Sequence, residues 1–327
     1  MARYLVTGAA GFIASRVTEF LLADGHSVIG VDNLNDAYDV RMKEYRLRKL
    51  VGLPGFTFSR MDISDLQQVN ALAAEIGYVD AVINLAARAG VRSSVENPWV
   101  YYSTNVTGTL NLLDMCHRKG IGKFILASSS SVYGSDPPLP TPEDADTDHP
   151  LQPYASSKKA AENLCYTYHY LYGTDVTVFR YFTVYGPAGR PDMVMFRFAQ
   201  WIAEGRAVKL NGDGTQRRGF TYLDDIARGT ILGLKPLGYE VINLGGHQVI
   251  DINELIGMIE KRVDTKCTAK IEYLPRHPAD ASVNFANVDK ARRLLGWEPR
   301  VTMEEGVSSL VNWYLAERSW ASQVATP

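Results

Sequence analysis

The feature that most limits what this chain can become is a glycine turn set directly after its first apolar run. Residues 4–7 form a short β-rich stretch, and Gly8-Ala9-Ala10-Gly11-Phe12-Ile13-Ala14 follows at once and opens a helical pattern. Between a strand and a helix, glycines let the backbone approach a pyrophosphate held at the helix N-terminus. Taken alone, the pattern reads equally well as a tight turn without a ligand. Asp32 shifts the balance: it ends the next strand, 21 residues after Gly11, where a carboxylate can bond both ribose hydroxyls of a dinucleotide. Its charge repels a 2′-phosphate and no arginine immediately follows, so the expected cofactor is NAD rather than NADP. Asn33, Asn35 and Asn105 are carried with Gly8, Gly11, Phe12 and Ile13 as expected cofactor contacts.

The first half of the chain repeats the strand-and-helix rhythm. Residues 4–7, 27–32, 56–62, 81–86, 123–128 and 175–180 are near-continuous apolar runs, as expected of parallel strands covered on both faces. Ligands of such sheets bind at the carboxyl ends of the strands. Asp62-Ile63 is therefore placed to bracket adenine, with a helix N-cap as the competing reading for Asp62. Leu85-Ala86-Ala87 faces the pyrophosphate and nicotinamide ribose. Asn97-Pro98 starts a helix running to about residue 119, with Asn97 as its cap. After Arg180 the alternation loosens into a Gly/Pro-rich stretch, helices at 194–204 and 252–263, a turn at Asn211-Gly212-Asp213-Gly214, and strands at 241–244 and 271–274. The expected fold is α/β: a Rossmann-type, doubly wound parallel sheet over residues 1–180. A smaller α/β C-terminal substrate lobe covers 181–327, and part of this later chain is allowed to return to the first sheet.

Composition removes several classes of function. A chain of 327 residues, 46% hydrophobic and 21% charged, can bury a large core without a partner. No stretch reaches the ~20 apolar residues of a membrane span. MARYLVTG enters a strand pattern with no leader before it, so a cytoplasmic location is expected. Net charge is −2 and the Lys and Arg residues are not gathered into runs, so no nucleic-acid footprint is visible. Cys116, Cys165 and Cys267 lack CxxC spacing, and the six histidines lack HExxH spacing. Neither a disulfide framework nor a metal site is expected.

Tyr154 and Lys158 stand four residues apart on an expected helix and so share one face. Surface pairs of this kind are common. What raises this one is the fifth strand, which ends in Ser128-Ser129-Ser130-Ser131-Val132-Tyr133-Gly134 and delivers hydroxyls to the same end of the sheet. A tyrosine of pKa ~10 must fall by about three units to act as a base near neutrality, roughly 4 kcal/mol in favour of phenolate. Lys158 and an oxidised nicotinamide are the two cations available. Ser129, Ser130 or Ser131 would hold the reacting oxygen while the phenolate takes its proton and hydride leaves its carbon; which serine does so stays open.

In this order, GxxGxxA, Asp32, NLAA, SSSSVYG and YASSK resemble the extended short-chain dehydrogenase/reductase family, and the similarity covers nearly the whole chain. The resemblance implies that Tyr154 is the base and that Lys158 also binds the nicotinamide ribose. It further implies a homodimer joined through the helices near 99–119 and 154–172. Dehydratases of the family resemble one another in carrying Asp-Glu before Val-Tyr-Gly, and the decarboxylases carry Glu; Ser130 and Ser131 stand there in this chain. The cycle left is to oxidise a carbinol, turn the keto sugar over and return hydride to the other face, which is epimerisation.

The segment from Arg180 to Met193 resembles the UDP-glucuronic acid 4-epimerases, with Thr183 where UDP-galactose 4-epimerases usually have Asn. Thr183 and Arg190 are thus expected at the substrate. The planar fork of Arg190 suits a sugar carboxylate, a solvated loop arginine or a phosphate contact being the competing readings. Arg218 and Asp280 lie in segments similar to the family's nucleotide-binding regions. The expectation is NAD-dependent 4-epimerisation of a UDP-sugar, UDP-glucuronate before a neutral hexose, with a catalytically silent NAD-binding regulator as the reading from another class.

Overall fold

The computed structural model describes residues 1–263, 269–275 and 283–327. Six strands, β1 (Arg3–Thr7), β2 (Ser27–Asp32), β3 (Phe56–Arg60), β4 (Ala81–Asn84), β5 (Lys123–Ser129) and β6 (Asp175–Tyr181), join Tyr239–Leu244 in one sheet. Its order is Tyr239–Leu244, β6, β5, β4, β1, β2, β3, and every pairing is parallel. The winding direction reverses between β1 and β4, so the crevice beyond their carboxyl ends is the switch point at which such sheets take ligands.

The chain between the strands is helical: α1 (Phe12–Ala23), α2 (Arg41–Leu50), α3 (Leu66–Glu75), α4 (Val91–Glu96), α5 (Pro98–Tyr101), α6 (Gly108–Lys119), α7 (Pro153–Tyr172) and α8 (Val194–Ala203). Leu5, Val82, Phe124 and Val178 turn to one face of the sheet and pack with Val69, Leu112, Cys116 and Ala161. Their neighbours Val6, Ile83, Ile125 and Phe179 turn to the other, against Val17 and Leu21 of α1 and Ile226. Side chains alternate along a strand. Because both faces are covered, the strands read in sequence as unbroken apolar runs.

Three local differences bear on the site. β3 and β4 stop at Arg60 and Asn84, so Asp62 and residues 85–87 stand on loops beyond the strand ends. The helix expected from Asn97 is interrupted by a six-residue π-helical stretch, Tyr102–Thr107, a widened turn of the kind found at functional sites. Asn97 makes no side-chain cap bond; Pro98 in the first turn starts the helix without one.

The C-terminal lobe has its own core, in which Phe198 and Ile202 of α8 pack with Leu255 and Leu310. Ile271–Leu274 pairs with Val208–Asn211 there, whereas Tyr239–Leu244 crosses back to lie beside β6. Cys116 and Cys165 are buried free thiols; Cys267 lies outside the described residues. Among the described residues no helix is long and apolar enough to cross a membrane.

Candidate active site

The dinucleotide cradle is built by close backbone approach. Thr7 donates its hydroxyl hydrogen to Asn84 (2.7 Å) and accepts from the amides of Leu85 and Ala86 (both 3.1 Å), which pins the end of β4 beside β1. Gly8 has φ +70°, and a Cβ there would stand 2.9 Å from the Ala86 backbone; only glycine fits such a position. A Cβ on Gly11 would lie 2.7 Å from the Gly8 carbonyl oxygen. α1 then starts with no side-chain cap and no acidic residue in its first turn. Its first amides, beginning at Phe12 and Ile13, therefore point their unpaired donors and the positive end of the helix dipole into the cradle. The residues present fit a pyrophosphate.

Asp32 is buried and accepts from the amides of Ala10 (3.2 Å) and Leu34 (2.8 Å). A short chain of bonds continues from it: Lys43 of α2 lies 3.8 Å away and donates to Asn35 (3.0 Å), Asn35 donates to Asn33 (2.6 Å), and Asn33 donates to Asp62 (2.8 Å). Asp62 does not cap the following helix. Asp65 does, accepting from the amides of Gln67 (2.8 Å) and Gln68 (3.2 Å). Burial raises the Asp62 carboxyl, but bonds from Ser64 and Asn33 outweigh it and hold the group below its ordinary value. The Ile63 side chain turns into the core, and its carbonyl accepts from Asn111 (3.0 Å).

On the opposite wall, α7 carries Tyr154 in its first turn and Lys158 one turn later. The Lys158 ammonium is buried and donates to the Ala127 carbonyl (2.7 Å) near the end of β5. Ser129, the last residue of β5, lies near enough to the Tyr154 hydroxyl to favour its phenolate. Ser129 in turn pairs with the Ser131 hydroxyl and accepts from its amide, both at 3.2 Å. Ser130 turns aside and accepts from Asn284 (3.2 Å). Ser128, one residue earlier, points into the core and donates to Glu162. Of the serine cluster, the fold therefore brings Ser129 to the tyrosine.

Burial raises the Tyr154 phenol, opposed by the Ser129 hydroxyl and then by the charge of Arg190. Burial likewise takes Lys158 down to about 8, opposed by Glu162. The cation that acts on the phenol is thus Arg190, which the sequence pattern placed only at the substrate. Asn105, in the π-helical stretch, accepts from the Arg88 amide (2.8 Å) and donates to the Arg88 carbonyl (3.0 Å) and to Ser157 (2.9 Å). Its amide binds the loop after Ala87 to α7.

The third wall is the loop from β6 to α8. Thr183 accepts from the Thr221 amide through its carbonyl (2.9 Å). Arg190 donates from Nε to Asp192 (3.0 Å), and from Nη2 to Asp192 and to the Ala89 carbonyl (3.2 Å). Its fork, expected to face a ligand, engages an acid of its own loop. The loop is held by Arg46 of α2, whose buried guanidinium donates to the carbonyls of Ala188 (2.8 and 2.9 Å), Gly189 (3.1 Å) and Ala10 (3.3 Å). One side chain therefore ties the glycine turn to the Arg190 loop. Arg46 and Lys43 belong to no motif, and Asp192 sits in the Arg180–Met193 segment with no role assigned to it there; their spatial partners reveal all three. Arg218 lies on the short strand Arg217–Gly219, half-buried, with Nη1 donating to the Arg217 carbonyl (2.8 Å). Asp280 lies outside the described residues.

Residues 4–245 match the model of the NAD dependent epimerase/dehydratase family. A UDP-glucuronate 4-epimerase of Thermodesulfobacterium geofontis is 56% identical over 314 residues, 96% of each chain. Among solved structures, the UDP-glucuronic acid 4-epimerase from Bacillus cereus, in complex with UDP-glucuronic acid and NAD, superposes with a TM-score of 0.89 at 34% identity, covering 96% of this chain and 99% of that one. The UDP-glucose 4-epimerase of Thermotoga maritima, with UDP-glucose, gives 0.88 at 31% identity over 97% of this chain and 99% of its own. With the match spanning most of the chain and the cradle, serine cluster and Tyr/Lys pair all in place, the protein belongs to the NAD dependent epimerase/dehydratase family.

Proposed function

We propose that the protein is an NAD-dependent UDP-glucuronate 4-epimerase that interconverts UDP-glucuronate and UDP-galacturonate through a 4-keto sugar. The observation that carries the uronate reading is the position of Arg190: a guanidinium already shaped around a carboxylate, close enough for its charge to act on the Tyr154 phenol. The substrates named for the bacterial relative and the Bacillus structure support the same assignment.

Gly8, Gly11, Phe12, Ile13, Leu85, Ala86 and Ala87 would hold NAD, with Asp32 at its ribose, and NAD held there would supply a reversible hydride acceptor. Asn33, Asn35, Asp62 and Ile63 border the adenosine end, and Asn105 holds the loop beside the nicotinamide end. Tyr154 removes the proton of the C4 hydroxyl and returns it after the keto sugar has turned over. Ser129 holds that oxygen, and Ser131 steadies Ser129. Lys158, anchored to Ala127, would hold the nicotinamide ribose and favour phenolate by its charge. No carboxylate stands at Ser130 or Ser131 to drive an elimination. Arg190 and Thr183 hold the sugar carboxylate so that the bond to it stays out of line with the 4-keto π system, which guards a β-keto acid against losing carbon dioxide. Arg218 and Asp280 serve the nucleotide.

The direct test is to incubate the purified protein with UDP-glucuronate and resolve the products by proton NMR. UDP-galacturonate is the expected product, and an inert sample that still carries NAD would sink the assignment. A homodimer is part of the same proposal: Trp99 of α5 and Tyr170 and Leu171 of α7 are 82%, 76% and 58% exposed, apolar surface suited to a second copy. Sedimentation equilibrium should find two chains per particle for the wild type and one for Trp99→Glu.

A further inference from the structure

Arg190 does not stand open. Its Nε and Nη2 both reach the carboxylate of Asp192, and Nη2 also donates to the Ala89 carbonyl at 3.2 Å. A fork suited to a substrate carboxylate therefore already holds one from the protein. Such a pair must open, or share its donors, before an acidic sugar can be gripped.

The start of α8 supplies a second place for the displaced acid. Met193 is the N-cap of α8, so Asp192 is the residue just before the cap and Arg197 is the fourth residue of the helix. Side chains at these two positions meet across a helix start, as in the hydrophobic staple. Arg197 is short of acceptors: its buried Nε has no hydrogen-bond partner, and its guanidinium lies 4.6 Å over the Trp201 ring. Burial first, and then the like charge of Arg92, hold it below the ordinary arginine value, while Asp192 opposes both.

We propose that Asp192 is a gate on the carboxylate subsite: it closes the Arg190 fork in the resting enzyme and moves to Arg197 when a sugar carboxylate takes its place. This inference rests on the uronate reading of the site. The exchange strands no charge, because Arg190–Asp192 becomes Arg190–substrate while Asp192 gains Arg197. It also keeps an anion on Arg190 throughout, so the positive charge felt by the Tyr154 phenol stays nearly constant as the substrate enters. A neutral hexose has no carboxylate with which to take over the fork and leaves the pair closed. The internal competitor acts on the acidic sugar alone, so it sets the affinity for the uronate without adding to the preference over a neutral sugar.

The test is a double-mutant cycle on the holoenzyme, reading KM and kcat for UDP-glucuronate and for UDP-glucose as the neutral control. Asp192→Asn removes the competing charge and should lower the KM for UDP-glucuronate about five-fold; Arg197→Met removes the alternative berth and should raise it about five-fold, each with kcat changed by less than about two-fold. In the double variant the Arg197→Met penalty should vanish, since there is no longer an acid to rehouse. The KM for UDP-glucose should not move in any of them. A higher KM in Asp192→Asn, or an Arg197→Met penalty that persists in the Asp192→Asn background, overturns the gate; the latter would mean that Arg197 touches substrate directly. Thermal melting and bound NAD check the fold, and Asp192→Ala takes the place of Asp192→Asn if the latter melts early. A wild type inert towards UDP-glucuronate removes the uronate reading and the gate with it. An active wild type with the wrong KM pattern removes the gate alone.

Discussion

Tyr154 and Lys158 ride on a helix of twenty residues packed against the end of β5, whereas Arg190 sits on a loop tied down by guanidinium groups. On the helix side the charged group is linked to a fixed one, Lys158 to a strand carbonyl, and Tyr154 stands beside the last residue of the same strand. On the loop side, side chains with exchangeable partners do the holding, Arg46 on three carbonyls and Arg190 on Asp192. Proton transfer needs heavy atoms kept within hydrogen-bond reach through the whole cycle. Recognition of a charged substrate needs a contact that can be given up and remade. On the proposed reading of the site, the first task falls to regular structure and the second to a loop.

Substitutions in the two regions should therefore fail in different ways. Tyr154→Phe should lower kcat about a thousandfold, with bound NAD and melting temperature unchanged; a variant that loses its cofactor would show that the tyrosine also builds the cradle. Lys158→Met should cost about a hundredfold and alter the pH profile. Lys158 is brought down to about 8 by burial, so its charge is present below that pH and lost above it. Wild-type kcat should thus decline as pH rises through about 8, and that limb should be missing in Lys158→Met. Arg190→Ala should have the smallest effect, about tenfold in kcat/KM for UDP-glucuronate, with UDP-glucose turnover less affected and a decarboxylated UDP-pentose appearing among products separated by mass spectrometry. Equal losses on both sugars would erase the contrast between helix and loop.

The parts of the site that were legible in the sequence are those in which a local rule dictates the residue. Gly8 needs a positive φ and close passage beside Ala86, Asp32 must stand at a strand end, and Tyr154 with Lys158 must share a helical face. The strands of the central sheet read clearly because both faces are buried, which leaves little room for polar residues. Details that turn on who sits beside whom were not legible. In sequence Asp62 reads either as an adenine contact or as a helix cap, and only the position of the helix start gives the cap to Asp65. The four consecutive serines are chemically equivalent in sequence, and only the twist at the end of β5 sends Ser128 to Glu162, Ser129 to Tyr154 and Ser130 to Asn284.

By itself the sequence determined the doubly wound sheet, the glycine cradle and the spacing of the catalytic pair, because each follows from periodicity or backbone sterics over a few neighbouring residues. Only the tertiary structure decided that Tyr239–Leu244 returns to the central sheet, that Arg46 joins the glycine turn to the Arg190 loop, and that Arg190 already grips Asp192. These are choices of partner for donors, acceptors and a strand edge. Such choices are made by whichever group the fold brings within a few ångströms, across separations in sequence that no local pattern spans.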